Sequence, residues 1–224
     1  MNATDVMTRN VVTIGPEATV AEAAELMAQY DVSALPVIDA HEQLVGIISE
    51  ADLMRRDEIG TQADYRWWTE AMIPAATRAA EFTRSHGKYV NEVMSRNVIT
   101  ATEDTPLAAI ASILERHRIK RVPILHDNKV VGIVSRANLI QALASVTLTP
   151  AAAADSDRKI RLDLLSRLEE QSWTDFGSRN VVVSRGKIHL WGLVGSPAER
   201  QALVALAENV PDVTGVVDEM IAAY

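Results

Sequence analysis

The chain repeats itself, and this limits what it can fold into more than any other feature. Val6-Met-Thr-Arg-Asn-Val-Val-Thr13 returns as Val93-Met-Ser-Arg-Asn-Val-Ile-Thr100, identical at six of eight positions. The same spacing carries Pro36 onto Pro123. One residue is then lost in a turn, and Leu44-Val-Gly-Ile-Ile-Ser-Glu-Ala-Asp-Leu53 becomes Val130-Val-Gly-Ile-Val-Ser-Arg-Ala-Asn-Leu139. Two copies of one structural unit follow.

Each copy reads as β-α-β-β-α. A short β-rich segment, Val11-Val12-Thr13, precedes a helix start at Thr19, where Thr19 and Glu22 have the spacing of a capping box. Val20, Ala23, Ala24 and Met27 then fall on one helical face. In the second copy Thr105 is expected to cap and Pro106 to hold the first helical position, with Leu107, Ile110, Ala111 and Leu114 on the face. Two β-rich runs follow the first helix, Leu35–Ile38 and Leu44–Ile48. A second helix begins at Ser49, or at Ser135 in the copy. A unit of about 50 residues buries too little surface to be stable alone, so the two are expected to pack sheet to sheet around a shared core. Between them, the segment holding Tyr65-Arg66-Trp67-Trp68 is expected to be partly helical, its rings covering the repeat core. Lining a ligand entrance or a dimer contact is the other reading of those rings.

Composition narrows the function classes. With 224 residues, 48% hydrophobic and 23% charged, the chain is an ordinary globular one. No apolar run approaches the roughly 20 residues of a membrane span, and Met1–Asp5 has no signal-peptide pattern, so a cytoplasmic protein is expected. The absence of cysteine removes disulfides, thiolate catalysis and Cys-ligated zinc. A net charge of −8 argues against broad nucleic-acid binding. The five histidines are dispersed, and no HExxH, GxSxG, Walker or GxGxxG element is present. Catalysis and a metal site are therefore not expected.

Val-Met-[Thr/Ser]-Arg-Asn-Val, Ser33-Ala34-Leu35-Pro36-Val37 and Gly46-Ile47-Ile48-Ser49-Glu50-Ala51-Asp52 resemble the motifs of CBS domains, over roughly residues 1–148. Those domains work in tandem pairs, called Bateman modules, that bind adenine nucleotides and related ligands. The resemblance implies that Ser49 meets phosphate and that Asp52 accepts from ribose hydroxyls, chemistry that suits a carboxylate at a helix N-terminus. Ser49 and Asp52 also have the spacing of a self-satisfied helix start, and both readings stay open. The resemblance further implies that basic residues before one repeat's proline meet phosphate at the other repeat's carboxylate, which points to Lys120 and Arg121. Arg116 and Arg118 fit better as complements to a helix C-terminus. Adenine would sit between Val12 and Val32, which could equally be core valines. The second copy has Ser135 and Asn138 in place of Ser and Asp, and Ser33-Ala34 before Pro36 bring no cation. One competent and one degenerate nucleotide site are expected.

Beyond Thr147–Asp155, which reads as a linker, the repeat does not return. Ile160, Leu164, Leu165 and Leu168 mark a helix. Val181–Ser184 and Lys187–Leu193 flank Arg185-Gly186 as a hairpin, with Ile188, Leu190 and Gly192 alternating against His189 and Trp191. Ser196-Pro197-Ala198-Glu199 opens a helix carrying Leu203, Leu206, Ala207 and Val210, and Val213–Met220 closes as a strand. This α-β-β-α-β order, with Gly186-Lys-Ile-His-Leu-Trp-Gly-Leu-Val-Gly-Ser-Pro-Ala-Glu-Arg200, resembles the BON domain. BON domains are associated with envelope proteins and proposed phospholipid contact. Residues 156–224 carry 8 Lys+Arg against 10 Asp+Glu, a net −2, so no polybasic attraction to anionic lipid is expected. Asp212 stands where that family usually has glycine, and Trp191 is expected to be partly buried against its own domain's helices.

The sequence thus predicts a mixed α+β protein. A first CBS repeat (1–60), an insert (61–87) and a second repeat (88–147) would form a pseudo-two-fold pair, followed by a linker (148–155) and a BON domain (156–224). The expected role is a non-catalytic, homodimeric sensor. It would bind AMP, ADP or ATP, with NAD or S-adenosylmethionine as other candidates, require no cofactor, and act on a protein partner. The alternatives are a constitutive scaffold whose BON domain associates with protein or membrane, and a nucleotide hydrolase.

Overall fold

The computed structural model describes residues 1–54, 56–61, 74–145, 154–174 and 180–223. Tyr65–Trp68 and most of the expected linker lie outside the described residues. The fold is mixed α+β. Helices α1 (Val20–Gln29), α2 (Glu50–Leu53) and α3 (Ala75–His86) and strands β1 (Ala34–Ile38) and β2 (Leu44–Ser49) belong to the first half of the chain. Then come α4 (Val90–Val93), β3 (Ala101–Thr102), α5 (Leu107–Arg116), β4 (Arg121–His126), β5 (Lys129–Ser135) and α6 (Arg136–Ser145). The C-terminal part holds α7 (Ala154–Glu169), β6 (Asn180–Ser184), β7 (Lys187–Val194), α8 (Pro197–Glu208) and β8 (Gly215–Ala222). The strands form three sheets, ordered β1-β2, β3-β4-β5 and β6-β7-β8.

The compact units do not coincide with the repeats. One comprises residues 1–11, 99–127 and 131–224; the other comprises 12–98 and 128–130. The leading segment of each repeat has been exchanged. Ala3, Val6 and Met7 complete the core that contains Ile110, Leu114, Val122, Ile124 and Val134. Val90, Val93 and Met94 complete the core of Ala23, Met27, Leu35, Val37 and Ile48. Matching backbone bonds fix both segments. Thr8 N donates to Ile133 O at 3.0 Å and Thr8 O accepts from Ile133 N at 2.9 Å, while Ser95 and Ile47 exchange the same pair at 2.9 Å. A glycine receives each methionine. A Cβ on Gly132 would collide with Met7 Sδ and lie 2.8 Å from its Cγ, and one on Gly46 would collide with Met94 Sδ and lie 3.1 Å from its Cγ.

Local expectations are met in part. Thr19 and Glu22 form the capping box, with Glu22 Oε2 accepting from Thr19 N at 2.7 Å and Thr19 Oγ1 accepting from Glu22 N at 3.2 Å. Ala23, Met27, Ile110 and Leu114 are buried, but Ala24 and Ala111 face solvent, because the stripe against the core is narrower than the apolar pattern. Thr105 does not cap α5. Its hydroxyl turns back to accept from Thr102 N at 3.0 Å, and Pro106 takes the N-cap position. Val11–Thr13 forms no strand. In the first repeat Ile14 forms a parallel bridge with Val37, which corresponds to Ala101 pairing with Ile124 in the second.

In the C-terminal part, β6 and β7 form the expected antiparallel hairpin, and β8 adds parallel to β7. Arg185 and Gly186 both have positive φ, 54° and 72°, the requirement of a type I′ turn. Asp157 on α7 accepts from both of their N–H groups at 2.9 and 2.7 Å. Asp212 takes φ 64°, a conformation aspartate tolerates better than most side chains, so the turn forms without the glycine. The capping box at Ser196 is shifted. Ser196 Oγ accepts from Glu199 N at 3.1 Å, but Glu199 reaches Gly195 N at 2.9 Å.

This C-terminal domain packs on the second-repeat half of its unit. Both faces of β6 are buried, one by α7 and the domain core and the other by α6. Trp191 is half-buried as expected, but Nε1 donates at 3.1 Å to Ser145 at the end of α6 rather than meeting the domain's own helices. Arg161, 3% exposed, donates to Val181 O at 2.7 Å and to Thr4 O and Met7 O at 2.8 Å each. Arg158 Nε donates to Asp5 Oδ1 at 3.0 Å. Two arginines of α7 thus tie the leading segment of the chain to the C-terminal domain.

Gly132→Ala is expected to lower stability by about 1–3 kcal/mol, the usual cost of overpacking. Met7→Ala should cost about 2–5 kcal/mol by leaving a cavity. The double variant should lose less than the sum, a coupling that a urea-denaturation cycle measures.

Candidate functional site

Ser49 ends β2 and is the N-cap of α2, with extended backbone at φ −134° and ψ 167°. Its N–H donates to Asp52 Oδ2 at 2.9 Å and its hydroxyl to the same oxygen at 2.8 Å. The self-capped helix start is therefore present. It occupies one carboxylate oxygen. Asp52 is buried, and its other oxygen, Oδ1, faces Arg84 Nε at 4.0 Å.

Arg84 was not legible as a site residue, since it falls in the segment between the copies, where nothing repeats. Its placement depends on Arg56, which is 4% exposed. Arg56 donates to the C-terminal carbonyls around α3, to Arg84 O at 2.9 Å and Gly87 O at 2.7 Å, and pairs with Glu58. A guanidinium at a helix C-terminus satisfies open carbonyls and opposes the negative end of the dipole. Glu58 is held below the usual carboxylate range, chiefly by its hydrogen bond from Arg56.

The equivalent position in the second repeat is chemically different. Ser135 N and Oγ both donate to Asn138 Oδ1 at 2.7 Å. Two donors on one atom identify it as the oxygen, so the remaining atom is the amide nitrogen. Nδ2 donates to Thr8 Oγ1 at 3.4 Å. Asn138 is buried, and its amide is committed to a cap and to the exchanged leading segment. Where Asp52 presents an acceptor, Asn138 presents a donor already in use. Thr8 belongs to the repeated motif, and the sequence read it only as a marker of duplication.

Val12 and Val32 pack against the core of the unit that holds Ser49 and Asp52. Lys120 and Arg121 lie in the other unit, where Lys120 is exposed, Arg121 opens β4 and is partly buried, and Lys120 O accepts from Arg136 N at 3.2 Å. Among the described residues no cluster of His, Asp and Glu suited to a metal ion occurs, and no helix is long and apolar enough to cross a membrane.

Comparison with known proteins bears on this arrangement. Residues 3–58 and 90–145 match the CBS domain family, and residues 156–223 match the BON domain family. The chain is 29% identical over 144 residues to the CBS domain-containing protein CBSX1, chloroplastic, of Arabidopsis thaliana, covering 59% of each chain. It is 31% identical over 135 residues to the CBS domain-containing protein YhcV of Bacillus subtilis, covering 60% of this chain and 80% of that one. The crystal structure of CBSX2 in complex with AMP superposes with a TM-score of 0.57 at 27% identity, over 65% of this chain and 98% of that one. The match spans 59% and 60% of the lengths of the plant relatives CBSX1 and CBSX2.

Asp52→Asn retains an oxygen for the two Ser49 donors and is expected to change stability by less than about 1 kcal/mol. Asn138→Ala strands those donors at Ser135 and should cost about 1–3 kcal/mol. Thermal or urea unfolding of the two variants distinguishes them.

Proposed function

The chain belongs to the CBS-domain family, and on that premise we propose that it is a non-catalytic sensor that binds one adenine nucleotide through its first repeat. The observation that carries this reading is the buried Asp52 carboxylate. One oxygen is fixed by Ser49, and the other takes no hydrogen bond from the described residues. A desolvated acceptor held in place by its own cap suits the two vicinal hydroxyls of a ribose, and charge-assisted bonds of this kind are the strong ones. The AMP found in the CBSX2 crystal structure supports AMP, ADP or ATP ahead of NAD or S-adenosylmethionine. In this reading Ser49, Lys120 and Arg121 meet the phosphate, and Val12 and Val32 flank the base. Arg84, near Asp52, is a further cation available to the ligand.

The site at Ser135 and Asn138 is proposed to be silent, because its amide is a committed donor rather than an open acceptor. The protein is proposed to act in the cytoplasm as a homodimer on a protein partner, with occupancy transmitted through dimer contacts or the BON domain. A constitutive scaffold is the second reading, favoured only by the completeness of the Ser49–Asp52 cap without a ligand.

A thermal-shift titration with AMP, ADP, ATP, NAD and S-adenosylmethionine should show saturable stabilisation by at least one adenine nucleotide, since a ligand that binds only the folded state raises stability by mass action. Asp52→Asn should weaken that binding roughly 10–100-fold, as loss of about 1.5–3 kcal/mol of charged hydrogen bonding requires. Lys120→Ala and Arg121→Ala should weaken ATP binding, whereas Asn138→Ala should leave the affinity unchanged. Equal losses from Asp52→Asn and Asn138→Ala would rule out a single site, and stabilisation by none of the ligands would favour the scaffold.

A further inference from the structure

We propose that the cavity between the leading segment of the chain and the C-terminal domain binds a small oxyanion, a phosphate or carboxylate group, held by Arg9 and backed by Arg161. Both walls belong to one compact unit. Thr8, Arg9 and Asn10 form one side, and Arg161, Glu169 and Asn180 lie on the other. The volume of about 20 Å³ admits one water-sized group, so a single oxygen of the anion enters and the rest of the group sits at the mouth.

Charge makes the case for an anion. Arg161 is 3% exposed, and its hydrogen-bond partners are uncharged: three backbone carbonyls and, at 3.4 Å, Asn180 Oδ1. A buried cation ordinarily has a counter-charge. Asp5, the acid that attracts it, is already bonded to Arg158. Arg9 brings a second guanidinium, whose Nε is shut off from water and donates to none of the described residues. The Nη2 of Arg9 makes a 3.3 Å contact with Thr4 Oγ1. Glu169 is solvent-exposed on the rim, and among the described residues no ion pair joins it to either arginine. Burial, with the like charge of Arg9 added and the attraction of Asp5 opposing, pushes Arg161 down to about 9, so Arg161 remains charged at neutral pH. An oxyanion would supply the missing negative charge beside the two guanidinium groups that line the cavity, whose planar forks suit carboxylate and phosphate.

This site shares no residue with the proposed nucleotide site, and the test keeps the two apart. The full chain is titrated with inorganic phosphate, and separately with acetate, against chloride at fixed ionic strength, following thermal stability. Saturable stabilisation beyond chloride by either anion is expected. Arg9→Gln, checked for unchanged circular dichroism, should weaken that affinity about 10–100-fold, and Lys120→Ala should leave it intact. The response to phosphate against acetate assigns the oxyanion. No stabilisation beyond chloride, a response that survives Arg9→Gln, or one that disappears in Lys120→Ala would each overturn the proposal.

Discussion

The structure depends on an exchange. Each repeat gives its leading segment to the core of the other, and each segment ends in a methionine seated over a glycine, Met7 on Gly132 and Met94 on Gly46. A single repeat lacks the side chains that close its own core. Such a small unit is already marginal in the surface it buries, and here its apolar filling is supplied from the other copy. The duplicated sequence is therefore a stability requirement as well as an evolutionary record. Close-packed interiors have no room for an added methyl group without displacement, which is why glycine stands at both contact points.

The exchange is symmetric, but what is built on it is not. The segment carrying Met7 is also gripped from outside by Arg161 and Arg158 of the C-terminal domain, whereas the segment carrying Met94 has no such attachment among the described residues. Breaking a buried charge network costs far more than forming it gains, so this clamp acts chiefly to fix geometry. It also joins the C-terminal domain to the half of the protein that contains Asn138. Trp191 bonded to Ser145 and Asn180 bonded to Gln141 at 3.0 Å reinforce that side.

The two repeats also divide their chemistry. A one-atom difference, carboxylate at Asp52 and amide at Asn138, decides whether the end of the side chain accepts or donates. Asn138 spends its donor on Thr8 and strengthens the exchanged segment. Among the described residues, Arg84 is the cation near the second oxygen of Asp52. One repeat is organised for structure, and the other retains an open acceptor.

Much of this was legible in the sequence because it follows from local pattern. Duplication, helix starts at Thr19 and Ser49, the hairpin at Arg185-Gly186 and the Asp52-to-Asn138 difference all arise from residue type and spacing over a few positions. Thr105 failed as a cap because its hydroxyl accepts from Thr102 N instead, a choice that spacing cannot rank. Arg56, Arg84 and Arg161 gave no signal, since a lone arginine in a polar stretch reads as a solvated charge until the chain folds around it. The sequence determined that one unit is duplicated, that a different domain follows it and which repeat kept its acidic group. Only the tertiary structure decided which copy fills which core and where the C-terminal domain attaches. Those outcomes depend on contacts between residues far apart along the chain, for which local periodicity carries no information.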